Sequence, residues 1–272
     1  MQVCDSLLFG TGVSSAKGYE ELRVVLGAAM DAGIRTFDTA PSYRTEEPLG
    51  RALRELAAER GMARADYRIQ TKVDPWQMQD GRIHHFVEDA LGKLGSGYVD
   101  TLLVHWPVPD YLDATWAELV ALREEGLARR IGVCNVRERH VRRMLAEWDV
   151  PPQVAQIERN PLRVCAADVA ACQAAGMEVQ AYSALCKMDP RIAESEAVQR
   201  IAAAHGKSVG QVVLRWHLEG GVLPVFTSKR PERIREYTQL FDFSLSAEEV
   251  AAIDALNEDY KIYLESCICP GY

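Results

Sequence analysis

Hydrophobic positions along the chain alternate between the spacing of a helix face and the spacing of a buried strand. Apolar residues from Leu22 to Ala29 recur at i, i+3, i+4 and i+7, which predicts an amphipathic helix. Gly33 is placed to end that helix in a left-handed cap. By contrast, residues 99–106 are almost all apolar, as expected of a parallel strand that is covered on both faces.

Strand and helix candidates of these two kinds follow one another over the whole chain. The strand candidates are residues 7–11, 35–39, 67–73, 99–106, 130–135, 153–158, 178–183 and 222–228. Helix candidates separate them, and the later ones are 81–94, 137–147, 166–175, 194–204, 208–219, 231–238 and 246–256. Repeated strand–helix units imply parallel strands with right-handed crossovers. In a chain of 272 residues we therefore predict one α/β domain over 1–272, a (β/α)8 TIM barrel.

The competing fold is an open Rossmann-type sheet, which would place a glycine-rich fingerprint after the first strand. The segment 10–15 begins with two of the glycines but lacks the third, and no clear helix follows it directly. A phosphate loop also fails, because Ile201 stands where the first glycine before Gly206 belongs. If a nucleotide binds, the protein must hold it in another way.

Composition narrows the classes of partner. The net charge of −8 and the pI near 5.4 argue against a nucleic-acid or anionic-membrane surface. No apolar stretch is long enough to span a bilayer, and the first residues lack the pattern of a signal peptide. No long exposed apolar stripe is evident either. We therefore expect a cytoplasmic monomer.

The seven cysteines form no regular framework, and their odd number suggests reduced thiols. Cys267 and Cys269 near the carboxyl end could bind a metal or form a redox pair. Structural zinc usually needs four ligands, and no second pair is nearby, so two ordinary thiols in a loop are the simpler interpretation. We predict no metal site.

Polar residues with acid–base chemistry stand where successive strand candidates end. Asp38, Lys72 and His105 close the second, third and fourth of them, and Tyr43 lies in the loop after the second. In a barrel the carboxyl ends of the strands carry the active site, so the four side chains should surround one point. Each residue alone would usually be structural, but together they predict a proton-transfer site.

The four residue types suggest separate tasks. A buried Lys72 ammonium needs a carboxylate partner, which Asp38 supplies. That ammonium should lower the pKa of Tyr43 from its reference value of about 10 and make the phenol a general acid. His105 would hydrogen-bond the substrate oxygen and orient it.

These residues resemble the catalytic tetrad of the aldo-keto reductase superfamily, and the resemblance covers about residues 7–257. The segment around Asp38 and Tyr43 is similar to the family's first signature, and Val104-His105-Trp106-Pro107 is similar to its histidine segment. Further matches follow in the family's order; they are residues 131–135, 156–161, 181–183 and 231–236. The resemblance implies a (β/α)8 barrel that reduces an aldehyde or ketone with NADPH, or alternatively with NADH.

The same resemblance assigns the nicotinamide end of the cofactor. Tyr43 would protonate the carbonyl oxygen, and Tyr182 would stack on the nicotinamide ring. Asn135 and Gln156 would bind the carboxamide, with Cys134 nearby. Many family members have serine at the position of Cys134, so one of these hydrogen bonds is expected to be weak.

The adenosine 2′-phosphate would be held by Arg233 with Ser228 and Lys229. A solvated basic helix face is the alternative explanation of these positive charges. The family's asparagine after Glu236 is replaced by Tyr237, so the adenine contacts should differ. The full set of predicted cofactor contacts is Thr11, Cys134, Asn135, Gln156, Tyr182, Ser183, Leu185, Thr227, Ser228, Lys229, Arg233 and Glu236.

The substrate mouth is predicted to be aromatic. Trp76 and Trp106 would line it, and Arg44, at a position where the family often has glycine, would reach into it. The tail from about 258 to 272 is a further candidate wall; the alternative is a strap packed on the outside of the barrel.

Two other functions stay open from the sequence. One is a cofactor-binding regulatory subunit of the same fold with little turnover, against which the complete tetrad argues. The other is a barrel hydrolase with paired carboxylates, for which Asp38 with Glu46 or Glu158 is the only tempting pair.

Overall fold

The computed structural model describes residues 6–12, 18–263 and 269. Its strands form a closed barrel in which each pairs with the next in parallel and the last pairs with the first. The strands are β1 (Leu8–Gly10), β2 (Thr36–Asp38), β3 (Arg68–Val73), β4 (Val99–Val104), β5 (Ala128–Cys134), β6 (Val154–Glu158), β7 (Glu178–Tyr182) and β8 (Val222–Phe226). Each lies within a predicted strand except β5, which begins two residues earlier, so the predicted barrel is confirmed.

Helices cover the outside of the barrel. They are α1 (Tyr19–Asp31), α2 (Glu46–Glu59), α3 (Pro75–Asp80), α4 (Ile83–Leu94), α5 (Leu112–Glu124), α6 (Glu138–Glu147), α7 (Ala166–Ala174), α8 (Pro190–Ala193), α9 (Glu196–His205), α10 (Val209–Glu219), α11 (Pro231–Tyr237) and α12 (Ala247–Asp254). The short helices α3 and α8 were not predicted, because each is only about one turn long and carries too few positions for a periodic pattern. None of the helices in the described ranges is long and apolar enough to cross a membrane.

The helix ends follow the glycines that the sequence offers. Gly33, just beyond α1, has φ of 91°, and Gly61, beyond α2, has φ of 64°, as expected of left-handed caps. Every residue of β4 is buried, which explains the unbroken apolar run that predicted it. These elements bring the carboxyl ends of the strands to one face of the barrel.

Gly50 lets α2 approach the end of α4. A Cβ atom at this position would lie 2.3 Å from the backbone oxygen of Leu94, so Gly50→Ala must push two helices apart. We expect a loss of about 1–3 kcal/mol in the free energy of unfolding, measured by chemical denaturation. Gly92→Ala in α4 is the matched control, since a Cβ there meets nothing within 4 Å and should raise stability by about 0.5–1 kcal/mol. Equal stability of the two variants would contradict the close approach.

Candidate active site

The centre of the site is a buried ion pair between β2 and β3. Lys72 Nζ lies 2.8 Å from both carboxylate oxygens of Asp38 and donates a further hydrogen bond of 2.9 Å to the Thr39 carbonyl oxygen. The two side chains are 0% and 4% exposed, respectively. Burial lowers the pKa of Lys72, but the negative charges led by Asp38 outweigh it, and the pKa is raised. The lysine therefore stays an ammonium ion.

Glutamine side chains inside the barrel donate hydrogen bonds to Asp38. Gln70 Nε2 donates to Asp38 Oδ1 at 2.7 Å, and Gln156 Nε2 donates to the same oxygen at 3.2 Å. Gln180 Oε1 accepts from both of these amides. The sequence reasoning did not identify Gln70 and Gln180, although glutamine inside an apolar strand was a signal. Gln156, predicted to bind the nicotinamide carboxamide, already donates to the ion pair.

Tyr43 ends a short 3₁₀ turn, Pro41–Tyr43, in the loop after β2. Lys72 Nζ lies 4.8 Å from the centre of its ring, which confirms that the two residues are neighbours. The predicted direction of the pKa shift is wrong: burial raises the pKa of Tyr43 to about 12, and the opposing charge and hydrogen bond of Lys72 only reduce the increase. The phenol therefore stays protonated at neutral pH.

His105 follows β4, and its backbone N–H donates to the Val73 carbonyl oxygen at 2.9 Å. Its ring meets the Tyr43 ring edge to face, with 5.8 Å between centroids. Nδ1 of the ring is hydrogen-bonded to Asp74 Oδ1. Burial lowers the pKa of His105, Asp74 opposes that shift, and the charge of Lys72 adds to it. The net shift leaves the imidazole neutral at pH 7.

Asp74, directly after the end of β3, is a site residue that the sequence pattern did not predict, although it stands two residues beyond Lys72. It is 2% exposed and accepts the Ser42 backbone N–H at 2.7 Å as well as the bond from His105. Burial raises its pKa, but the hydrogen bonds from His105 and Ser42 outweigh that effect and lower it. Asp74 is therefore a carboxylate at neutral pH.

Asn135 and Tyr182, two predicted nicotinamide contacts, are bonded to each other. The Tyr182 hydroxyl donates to Asn135 Oδ1 at 2.7 Å, and Asn135 Nδ2 donates to the His105 carbonyl oxygen at 2.9 Å. Cys134 beside them is 1% exposed, and burial raises the pKa of its thiol. Ser183 has φ of 52°, a left-handed turn at the end of β7. The predicted carboxamide ligands thus form one side of the site.

Thr11, another predicted cofactor contact, supports the loop after β2. Its hydroxyl donates to the Asp38 carbonyl oxygen at 2.9 Å and lies 2.9 Å from the Thr45 hydroxyl. Leu185 is partly buried and packs against the hydrophobic core. Both residues therefore have contacts within the protein, and their contacts with the cofactor stay predictions.

The predicted phosphate site lies at the end of β8 and on α11. Thr227, Lys229 and Arg233 are exposed, and Ser228 is half-buried. No ion pair to Lys229 or Arg233 is found within the described ranges. Glu236 accepts a hydrogen bond from the Ser208 hydroxyl, so this residue is anchored to the protein. The free cationic groups suit a phosphate dianion.

A cavity opens beside the tetrad under the loops after β4 to β7. Trp106, Asn135 and Tyr182 line it, and Lys261 and Tyr263 from the beginning of the tail lie over it. The Tyr263 ring is 5.9 Å from that of Tyr182, edge to face. The described part of the tail is thus a wall of this cavity, and its contact with a substrate stays a prediction; Cys267 and most residues beyond 263 lie outside the described residues.

Arg44 and Trp76 are not among the residues that line this cavity. Arg44 has φ of 58°, a left-handed conformation that explains why glycine is common at this position in the family. Trp76 is 53% exposed and packs against Phe86, with 5.0 Å between ring centroids. Their contacts with a substrate stay predictions.

The carboxylates that suggested a hydrolase have other partners. Asp38 is paired with Lys72, Glu46 accepts a hydrogen bond of 2.8 Å from Thr71, and Glu158 accepts the backbone N–H of Ile262 at 2.7 Å. No cluster of metal-ligating side chains occurs in the part of the chain that the structure describes, in which Cys269 is buried as a free thiol. The geometry gives no support to hydrolysis by paired carboxylates.

Comparison with known proteins shows which family this chain resembles. The model of the Aldo/keto reductase family matches residues 6–258. Methylglyoxal reductase DkgA of Yersinia pestis is 36% identical over 91% of this chain and 88% of its own length. Glyoxal reductase of Bacillus subtilis is 35% identical over 93% of this chain and 90% of its own length.

A solved structure extends the similarity to three dimensions. The aldo-keto reductase of Bombyx mori in complex with NADP superimposes with a TM-score of 0.88 at 30% sequence identity, over 98% of this chain and 95% of that one. The family match in sequence and the similarity of the fold agree. This chain belongs to the aldo/keto reductase family of oxidoreductases.

Proposed function

We propose that this protein reduces an aldehyde or ketone to the alcohol with NADPH, and that Tyr43 is its proton donor. The observation that carries the assignment is the buried Lys72–Asp38 pair at 2.8 Å directly beside the Tyr43 ring. A neutral phenol next to a fixed ammonium ion can give up its proton and leave a phenolate that the ammonium stabilises. The similarity to glyoxal and methylglyoxal reductases supports the same reaction.

The proton has a defined path in this proposal. NADPH supplies the hydride that reaches the carbonyl carbon. Tyr43 gives its hydroxyl proton to the carbonyl oxygen, and the phenolate left behind is stabilised by Lys72 until solvent returns a proton. Asp38 keeps the ammonium in place through both of its oxygens.

The residues fit the cofactor by the chemistry of their donors. Tyr182 offers an aromatic face, and Asn135, to which its hydroxyl donates, offers amide groups. For Asn135 to bind a carboxamide, the 2.7 Å bond from Tyr182 must open. At the other end Arg233 and Lys229 provide positive charge without a carboxylate partner in the described ranges.

Arg233→Ala tests the preference for NADPH over NADH. We expect KM for NADPH to rise by about 10- to 150-fold, because one charge-assisted hydrogen bond to a phosphate contributes about 1.5–3 kcal/mol. KM for NADH, which lacks the 2′-phosphate, should change less than about twofold. Arg200→Ala on the exposed face of α9 is the control and should change neither value. An equal rise with both cofactors would exclude a 2′-phosphate contact.

The names of the relatives suggest where a substrate search should begin. Glyoxal and methylglyoxal are small 1,2-dicarbonyls, and the proposal is that this protein also reduces compounds of that size. We further propose that it acts as a cytoplasmic monomer; light scattering at assay concentration tests the oligomeric part.

A further inference from the structure

Asp74 connects the loops that follow β2, β3 and β4. Its Oδ2 accepts the Ser42 N–H at 2.7 Å, and its Oδ1 accepts the Ser42 hydroxyl at 3.3 Å and is hydrogen-bonded to His105 Nδ1. Asp74 is 2% exposed, so water can form few hydrogen bonds to its carboxylate. Its position, and therefore the direction of the His105 ring, is fixed by protein contacts.

We propose that Asp74 is a positioning residue that fixes the tautomer of His105, with the hydrogen on Nδ1, so that Nε2 faces the substrate as an acceptor until the ring gains a proton. An ionised carboxylate can only accept hydrogen bonds. His105 must therefore place its hydrogen on Nδ1 to satisfy Asp74. In the neutral ring, Nε2 then carries only a lone pair.

The remaining ring nitrogen is available to a substrate. Among the described residues, Nε2 of His105 has no hydrogen-bond partner. The side chain is 14% exposed, whereas that of Asp74 is 2% exposed. The ring meets Tyr43 edge to face at 5.8 Å, so Nε2 belongs to the same site as the phenol.

The charged groups around His105 lie on β2, on β3 and directly after β3. Asp74 and Asp38 favour the protonated ring, whereas burial and the Lys72 ammonium oppose it, and the net effect lowers the pKa below the ordinary 6.5. Tyr43 and Cys134 are titratable neighbours of the Lys72–Asp38 ion pair. Burial raises the pKa of both groups, so both stay neutral. Protonation of His105 is therefore the event that changes the hydrogen-bonding character of the site as the pH falls.

This tautomer would make His105 interact differently with the carbonyl substrate and with the alcohol product. This part of the inference rests on the proposed function. A carbonyl oxygen can only accept a hydrogen bond. Neutral His105 has no hydrogen on Nε2 and therefore cannot donate to that oxygen, so Tyr43 is the donor. An alcohol hydroxyl donates, so neutral His105 can accept from the product. Only the protonated ring, with hydrogen on both nitrogens, can donate to the carbonyl oxygen. The sequence-based assignment of His105 as a simple donor to the substrate is thereby refined.

Nitrogen-15 NMR of the histidine rings tests the tautomer without any turnover. In the wild-type protein at pH 7.5 we expect His105 to carry its hydrogen on Nδ1. In D74N the amide can donate to Nδ1, and we expect the hydrogen to move to Nε2. A wild-type ring with hydrogen on Nε2 would overturn the proposal even if D74N failed to fold, and so would an unchanged tautomer in a folded D74N protein.

Asp100→Asn is the matched control for this experiment. Asp100 is also buried and also accepts a backbone N–H, from Ile69 at 2.9 Å, and a cationic side chain, Arg64, at 2.8 Å. It lies near the beginning of β4, at the opposite end of the barrel from His105. D100N should leave the tautomer of His105 unchanged.

The pH profile of reduction gives an independent readout. In the wild type we expect kcat/KM to rise as pH falls towards the pKa of His105, by up to about tenfold per pH unit. In D74N the neutral ring already donates through Nε2, so the profile should be flat within about twofold, while D100N should keep the wild-type slope. A parallel slope in D74N would refute the role of Asp74, whereas absence of turnover in every protein would refute the proposed function and leave the NMR result standing.

Discussion

Replacing Tyr43 by phenylalanine is expected to lower kcat for carbonyl reduction by about 100-fold or more, with little change in NADPH binding. The substitution removes the hydroxyl proton and keeps the ring that Lys72 and His105 contact. Because burial raises the pKa of Tyr43 to about 12, the wild-type phenol should not lose its proton between pH 7 and 10. We therefore expect no basic decline in kcat from Tyr43 over that range.

The control for this variant is Tyr67→Phe. Tyr67 is 3% exposed and stands just before β3, at the end of the barrel away from the site. Its substitution should leave kcat within about twofold of the wild type, because its hydroxyl has no part in the proposed reaction. Near-normal turnover by Y43F would refute Tyr43 as the proton donor.

Replacing Lys72 by methionine is expected to affect stability and turnover together. The Asp38 carboxylate, whose side chain is 4% exposed, would lose the only positive charge that lies within hydrogen-bonding distance of it in the described part of the chain, which typically costs about 3–5 kcal/mol. Turnover should fall by at least about 100-fold, because no cation remains to stabilise the Tyr43 phenolate.

The stability loss should depend on pH with a definite sign. Without Lys72 the buried Asp38 carboxylate carries a negative charge that no cation balances, and that charge is what makes the variant unstable. Acid conditions remove carboxylate charge, so the deficit of K72M, measured by chemical denaturation, should shrink as pH falls. The double variant D38N/K72M should recover stability but not activity. A deficit that is constant from pH 7 to pH 4.5 would contradict the ion-pair account.

Lys93→Met is the matched surface control. Lys93 Nζ lies 2.5 Å from Asp89, and the two side chains are 47% and 52% exposed. An exposed pair of this kind contributes about 0–1 kcal/mol, so K93M should be nearly as stable as the wild type.

The barrel was predictable because its strands are defined by local patterns. Residues 99–104 form a strand that is buried on both faces, and an unbroken apolar run records this directly. Asp38, Lys72 and His105 were identifiable because a strand end places a polar side chain at the same face of the barrel each time. These features need only the sequence near each residue.

Features that depend on contacts between distant segments were missed. The sequence does not reveal that Gln180 meets Gln70 at 2.9 Å inside the barrel, 110 positions away along the chain. The direction of the Tyr43 pKa shift was wrong for the same reason, since burial depends on every loop that closes over the phenol. Asp74 was overlooked because its value as a partner appears only when His105 lies beside it.

The most direct test of the proposed function is NADPH oxidation measured against a panel of aldehydes, ketones and 1,2-dicarbonyls, with the alcohol product quantified and Y43F run beside the wild type. We predict one alcohol formed per NADPH oxidised by the wild type and a loss of at least about 100-fold in Y43F. Tight NADPH binding with no oxidation across the whole panel would contradict the account and favour a regulatory subunit.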